Sequence, residues 1–193
     1  FLGRYPALKK HDESKADQKP EPPNHIGTRV LPGNRNLDFL VLHPDAGFLG
    51  IECKNVREWM YPDREEISEL LLKSVVLDCL PVLSARRIPF VTFKLLNTAG
   101  VIVHQTYNQL MPETAADIVN LVRRKDMLGY HDIRLGNKPD ARLLKFITVD
   151  MLKVAPEARE KFEKYRDLLA DFGSGEMPYP VFAAKIRRRS KGQ

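Results

Sequence analysis

Leu37-Asp38-Phe39-Leu40-Val41-Leu42-His43-Pro44-Asp45-Ala46-Gly47-Phe48-Leu49-Gly50-Ile51-Glu52-Cys53-Lys54-Asn55 is the stretch on which the reading of this chain turns. Residues 37–43 and 48–55 are apolar runs on either side of Pro44-Asp45-Ala46-Gly47. A type I turn closed by Gly47 in the left-handed conformation makes the whole a β-hairpin. Side chains alternate across a strand, so residues two apart share a face. With this turn, Asp38 falls opposite Lys54 and diagonal to Glu52, and all three leave one face at the end away from the turn. The other face carries Leu37, Phe39 and Val41 with Leu49, Ile51 and Cys53, and is expected to be the buried one.

Two carboxylates held a few ångströms apart repel each other unless a cation sits between them. Oxygen donors with room for water suit Mg²⁺ or Mn²⁺ better than zinc. An ammonium beside them, Lys54, orients an attacking water or stabilises charge building on a phosphate. Gly50 on the same face is expected to leave space for a backbone phosphate. The chemistry that needs this set is phosphodiester hydrolysis, in which the metal lowers the pKa of bound water and polarises the phosphoryl oxygen.

Glu-x-Lys alone occurs by chance in roughly half of chains this long, and on a strand it is often a solvated ion pair. An Asp fourteen residues upstream, a hairpin that puts it on the same face and apolar flanks on both strands set this instance apart. With these residues in place, the segment resembles the core of the PD-(D/E)XK nuclease superfamily, and is similar to the nuclease-related NERD domains. Tyr61-Pro62, the helix after it and Ile88-Pro89-Phe90-Val91-Thr92-Phe93-Lys94-Leu95 also resemble archaeal Holliday-junction resolvases. The similarity covers about residues 27–105.

The resemblance implies an α/β fold: a restriction-endonuclease-like mixed central sheet flanked by helices, here with a helical C-terminal extension. It implies Asp38, Glu52 and the backbone carbonyl of Cys53 as metal ligands and Lys54 as the catalytic lysine. It further implies an acidic residue on an N-terminal helix, for which Glu13 and Glu21 are the candidates although their surroundings read as loop. Lys73 is the candidate for the polar residue that the superfamily often carries on the helix after Glu-x-Lys. The activity implied is a Mg²⁺-dependent deoxyribonuclease, endonuclease rather than exonuclease. A junction resolvase, with a homodimer to make paired nicks, is the alternative within that resemblance. A nucleic-acid-binding module that keeps the fold but cleaves weakly is the alternative outside it.

Outward from the hairpin, residues 1–26 are polar and rich in turn formers and are expected to be a flexible segment. Residues 27–150 are expected to form the nuclease-like core, with a short edge strand near 27–31. A helix is expected from Asp63 as N-cap, with Glu66 completing a capping box and Pro81 ending or kinking it. The runs 90–95 and 101–104 read as strands, 113–125 as a helix and 143–149 as a late strand. The last helix is expected to start with Pro156 at its first position and to stop near Gly173. Residues 151–193 then make a helical extension with a basic, solvated tail at 185–191.

The chain has 193 residues with 43% hydrophobic content, enough for one real core. It carries 31 Lys+Arg against 25 Asp+Glu, a net charge of +6, partly clustered at Arg86-Arg87, Arg123-Arg124-Lys125 and Arg187-Arg188-Arg189. Clustered cations suit phosphates, so nucleic acid, DNA before RNA, is the expected partner. Arg29, Asn34, Arg35, Asn55, Arg57, Arg86 and Arg87 are the candidate contacts. Trp59 and Tyr61 are expected either to stack on a base or to cover a sheet edge. Cys53 and Cys79 have no C-x-x-C spacing and read as reduced thiols of an intracellular protein. No run approaches the ~18 apolar residues of a membrane span. The chain opens on Phe1 without a basic leader and reads as an excised domain or a processed chain.

Overall fold

A computed structural model describes residues 22–138 and 140–192; Glu13 and Glu21 lie outside the described residues. The elements in chain order are β1 (His25–Ile26), β2 (Arg29–Val30), β3 (Phe39–His43), β4 (Gly47–Lys54), α1 (Glu65–Leu77), β5 (Leu80–Ala85), α2 (Phe90–Thr98), β6 (Ile102–Gln105), β7 (Gln109–Met111), α3 (Ala116–Arg123), β8 (Ile133–Leu135), α4 (Ala141–Lys145), α5 (Met151–Gly173) and α6 (Tyr179–Ser190). The fold is α/β. Its main sheet is mixed, in the order β3-β4-β5-β6, with β3 antiparallel to β4 and the other neighbours parallel. Among the described residues β1 pairs only with β2, so the expected edge strand near 27–31 belongs to a small ribbon and not to the main sheet.

The hairpin forms as its sequence dictates. Gly47 takes φ 73 and closes a loop in which His43 pairs with Gly47 and Phe39 with Ile51. Continued one step, that register sets Asp38 across from Glu52. It is two residues away from the expected partner Lys54, a slip that preserves the faces because the side-chain period is two.

One-sided burial does not hold. Leu49, Gly50, Ile51 and Glu52 are buried in succession, and Cys53, assigned to the buried face, is exposed. The cause is the parallel crossover: chain passing from β4 through α1 to β5 covers the face that a lone hairpin leaves wet. A Cβ on Gly50 would lie 2.7 Å from Cys79 Sγ and 2.8 Å from Leu37 Cδ1. The missing side chain therefore makes room for the protein's own core, not for a phosphate.

Helix α1 starts after Arg64, not after Asp63, and the Arg64 side chain does not cap it; Glu66 instead pairs with Arg64 at 2.8 Å. It ends before Pro81 is reached, at Asp78, whose left-handed φ of 55 lets its N–H return to Ser74 and Val75. Pro81 lies inside β5, at a position that pairs with β4 before the β6 ladder begins at Val82. Residues 90–95 are helical, not extended. Burial recurs at Thr92, Leu95 and Leu96, a helical spacing, while Phe90, Val91 and Phe93 face solvent.

Residues 143–149 are also helical. Asp140 accepts from the N–H groups of Arg142 and Leu143, and α4 runs through a π-helical stretch at Phe146–Asp150 into α5. Pro156 is thus interior to α5. A proline has no N–H for the carbonyl four residues back, here that of Leu152. His43 Nε2 takes that carbonyl at 3.0 Å, while its Nδ1 accepts from the N–H groups of Asp45 and Ala46. The hairpin turn is thereby tied to the long helix.

The segment read as an extension supplies much of the main core. Phe162, Leu169, Phe182 and Ile186 pack with Leu49, Ile51, Val82 and Leu83 in one cluster. The basic tail is mostly α6, with Arg189 paired to Asp167. No described helix is long and apolar enough to cross a membrane.

Candidate active site

At the end of the hairpin away from its turn, Asp38 Oδ2 accepts the N–H of Cys53 at 2.6 Å. The β3–β4 ladder stops at the Phe39–Ile51 pair, and the Asp38 carboxylate takes over the next backbone donor. The side chain of Glu52, 3% exposed, is held between two ammonium groups, Lys73 Nζ on Oε1 at 2.7 Å and Lys54 Nζ on Oε2 at 2.9 Å. Burial works to lower the Lys54 pKa, but the Glu52 hydrogen bond, with the charges of Glu52, Asp38 and Glu66, outweighs it and holds the pKa above its ordinary value. Lys54 is therefore charged at neutral pH. Desolvation of the Cys53 sulfur, with the charges of Asp38 and Glu52, pushes its thiol up to about 11.

Lys54 and Lys73 thus meet on the buried carboxylate of Glu52, with Asp38 bonded to the next backbone N–H and its charge felt by Lys54. Outside it lies an open depression of about 530 Å³ lined by Lys54, Lys73, Arg64, Glu65, Glu66 and Glu69. The hydrogen bond from Arg64 holds Glu66 below its ordinary pKa, and that from Arg35 does the same for Glu69. Of these α1 acids the sequence reading named only Glu66, and that as a capping residue. The signal was their position in the first turns of the helix that follows Glu-x-Lys. Among the described residues, no group of three His, Cys, Asp or Glu side chains is disposed to hold a metal ion.

The arginines grouped by sequence divide among several places. Arg29 pairs with Asp78 at 3.3 Å and Arg35 with Glu69 at 2.9 Å, both along α1. Asn34 is exposed in the turn after β2. Asn55 is exposed just past β4 and lines, with Cys53, Lys54, Arg86 and His104, a cavity of about 300 Å³ at the carboxyl ends of β4, β5 and β6. His104 stacks on Phe146 at 4.3 Å, and burial holds its pKa below the ordinary value. Arg57, Arg86 and Arg87 all reach Asp132, Arg57 at 2.9 Å, Arg87 at 3.8 Å and Arg86 in direct contact. Asp132 had no local signal in the sequence. Trp59 and Tyr61 are 46% and 52% exposed, so neither is buried over a sheet edge.

No known protein-family model matches this chain, and neither a curated protein nor a solved structure is significantly similar to it.

Proposed function

We propose that this chain is a metal-dependent nuclease of the PD-(D/E)XK type that hydrolyses phosphodiester bonds of DNA, endonucleolytically. The observation that carries the reading is the convergence of Asp38, Glu52 and Lys54 at one end of β3–β4, with Lys73 of α1 reaching the same carboxylate. The antiparallel hairpin followed by a helical crossover to a parallel strand is consistent with the restriction-endonuclease-like sheet that the sequence resemblance implies.

The donor set fits a hard divalent ion in kind: two carboxylates and a backbone carbonyl, all oxygen. Asp38, Glu52 and the carbonyl of Cys53 would hold Mg²⁺ or Mn²⁺, with water completing the shell. Bound there, the metal supplies a water of lowered pKa and polarises the phosphoryl oxygen. The chain's own groups do the rest. Lys54, charged and 27% exposed, stands where it can donate to a phosphate oxygen as negative charge builds on it. Lys73, nearly buried, fixes the orientation of Glu52 from the helix side. The Cys53 N–H fixes Asp38.

A second reading is a DNA-binding module without cleavage. It is favoured by the two ammonium groups that occupy both oxygens of Glu52 and by the lack of a three-acid group among the described residues. Magnesium-dependent nicking of supercoiled plasmid separates the two. Wild type is expected to nick and Asp38→Asn and Lys54→Ala to lose at least 100-fold, a typical scale for a transition-state donor. Equal nicking by all three proteins sinks the nuclease reading, and retained binding without nicking by wild type selects the module. Preference for four-way junctions over linear duplex would place the enzyme with the resolvases.

A further inference from the structure

We propose that the groove beside Asp132 is a seat for single-stranded nucleic acid, in which Arg57 and Arg87 hold a backbone phosphate and Trp59 and Tyr107 stack on the flanking bases. The inference deepens the nucleic-acid part of the reading above and does not depend on hydrolysis.

Three guanidinium groups converge on the one carboxylate of Asp132, which leaves an excess of positive charge. Arg86 is 2% exposed, and its Nε, like Nη2 of Arg57, is buried without a hydrogen-bond partner among the described residues. Arg86 therefore adds its charge from beneath the groove, while Arg57 and Arg87 line it, and planar guanidinium forks match phosphate geometry. Asp132 is then the positioning group that keeps three like charges in register before the phosphate arrives.

The groove itself, about 780 Å³, is lined by Arg57, Arg87, Trp59 and Tyr107. Tyr107 has φ 61, a conformation that a bulky side chain adopts only when the surroundings impose it, and its ring is 52% exposed. The backbone there makes a tight turn, with the N–H of Asn108 donating to the Thr106 carbonyl at 2.7 Å and that of Tyr107 to the Arg86 carbonyl at 3.2 Å, and Arg142 lies 5.2 Å from the ring centroid. Arg87 lies 6.0 Å over the ring of Trp59. Exposed aromatic faces beside cations are the recurring means of holding a strand without reading its sequence. A duplex hides its base faces and cannot use them.

The chain's single tryptophan is Trp59, so its emission reports on this groove. A 12-nucleotide single-stranded oligonucleotide titrated in EDTA is expected to quench it, with affinity falling as salt rises. In Arg87→Gln, the slope of log affinity against log salt is expected to drop by about 0.7, the value for one lost phosphate contact on a single strand. Tyr107→Gly suits the left-handed backbone and removes the ring; it is expected to unfold as cooperatively as wild type yet bind about 5–150-fold more weakly, the worth of one stacked base. Quenching by a mononucleotide or inorganic phosphate at the same concentrations would overturn the strand assignment, as would equal quenching by a duplex. Unchanged binding in both folded variants would overturn the seat altogether. Because EDTA is present, a chain that binds this way and never cleaves leaves the seat standing. A chain that cleaves with unaltered Trp59 emission removes it alone.

Discussion

Replacing Lys73 with Met takes one of two ammonium groups from a carboxylate that is 3% exposed and keeps the bulk of the stem. At 2.7 Å the pair attracts by about 6 kcal/mol at an effective dielectric of ~20. Most of this is offset because the ammonium, with a side chain 11% exposed, has given up its water. Loss of a partner from an otherwise unpaired buried ion costs about 3–5 kcal/mol. Glu52 keeps Lys54 at 2.9 Å, so the expected loss is smaller, about 2–3 kcal/mol. In a chain of this size that lowers the thermal midpoint by about 4–12 °C in EDTA. The substitution also makes the site formed by Asp38, Glu52, Lys54 and residue 73 more negative by one charge. If Asp38 and Glu52 hold a divalent ion, Mg²⁺ should raise the midpoint of Lys73→Met by more than that of wild type. Calorimetry of both proteins with EDTA and with Mg²⁺ measures both effects. A midpoint within 1–2 °C of wild type (roughly 0.5 kcal/mol or less) would refute the ion pair, and a Mg²⁺ response absent from both proteins would refute the metal ligation.

Two further outcomes follow from contacts outside the site. His43→Ala is expected to cost about 2–4 kcal/mol, since it strips the Leu152 carbonyl and two turn N–H groups of their partner. Pro156→Ala restores an N–H for that carbonyl, so in its background the cost should shrink by about 1 kcal/mol; strict additivity in a denaturant-based double-mutant cycle would show that the linkage is absent. Asp78 is paired with Arg166, Arg159 and Arg29. Burial would raise its pKa, but these charges prevail and hold it below the ordinary value. Its folded pKa being the lower one, its contribution is complete above the unfolded value of ~4 and is lost as pH falls below it. Asp78→Asn, which keeps the left-handed tolerance, should therefore be less stable by about 1–3 kcal/mol at neutral pH and converge with wild type in acid; a gap independent of pH would show that charge is not the cause.

The hairpin was legible because alternation and the left-handed Gly47 are local properties. Its register was not, because turns of different length differ by whole steps that leave the faces unchanged. Glu52 was found by type and spacing, but its burial comes from α1, a crossover that no window around β4 contains. β5 was missed because the helix was expected to run on to Pro81, which reads as a helix breaker; the left-handed turn at Asp78 ends α1 before that. In α2 the aromatic and β-branched residues suggested a strand, yet Phe90, Val91 and Phe93 are left in water while Thr92, Leu95 and Leu96 are buried. Asp132, which gathers three arginines from distant positions, becomes visible only when the chain is folded.

Because Phe162, Phe182 and Ile186 share one apolar cluster with Leu49 and Val82, the strands of the main sheet wait for α5 and α6. During synthesis the sheet emerges well before the side chains that seal it, and until they arrive its hydrocarbon faces are open to chaperones or to other nascent chains. A polypeptide cut after residue 150 would hold the whole hairpin and still lack its lid, so it should fail to fold as a unit.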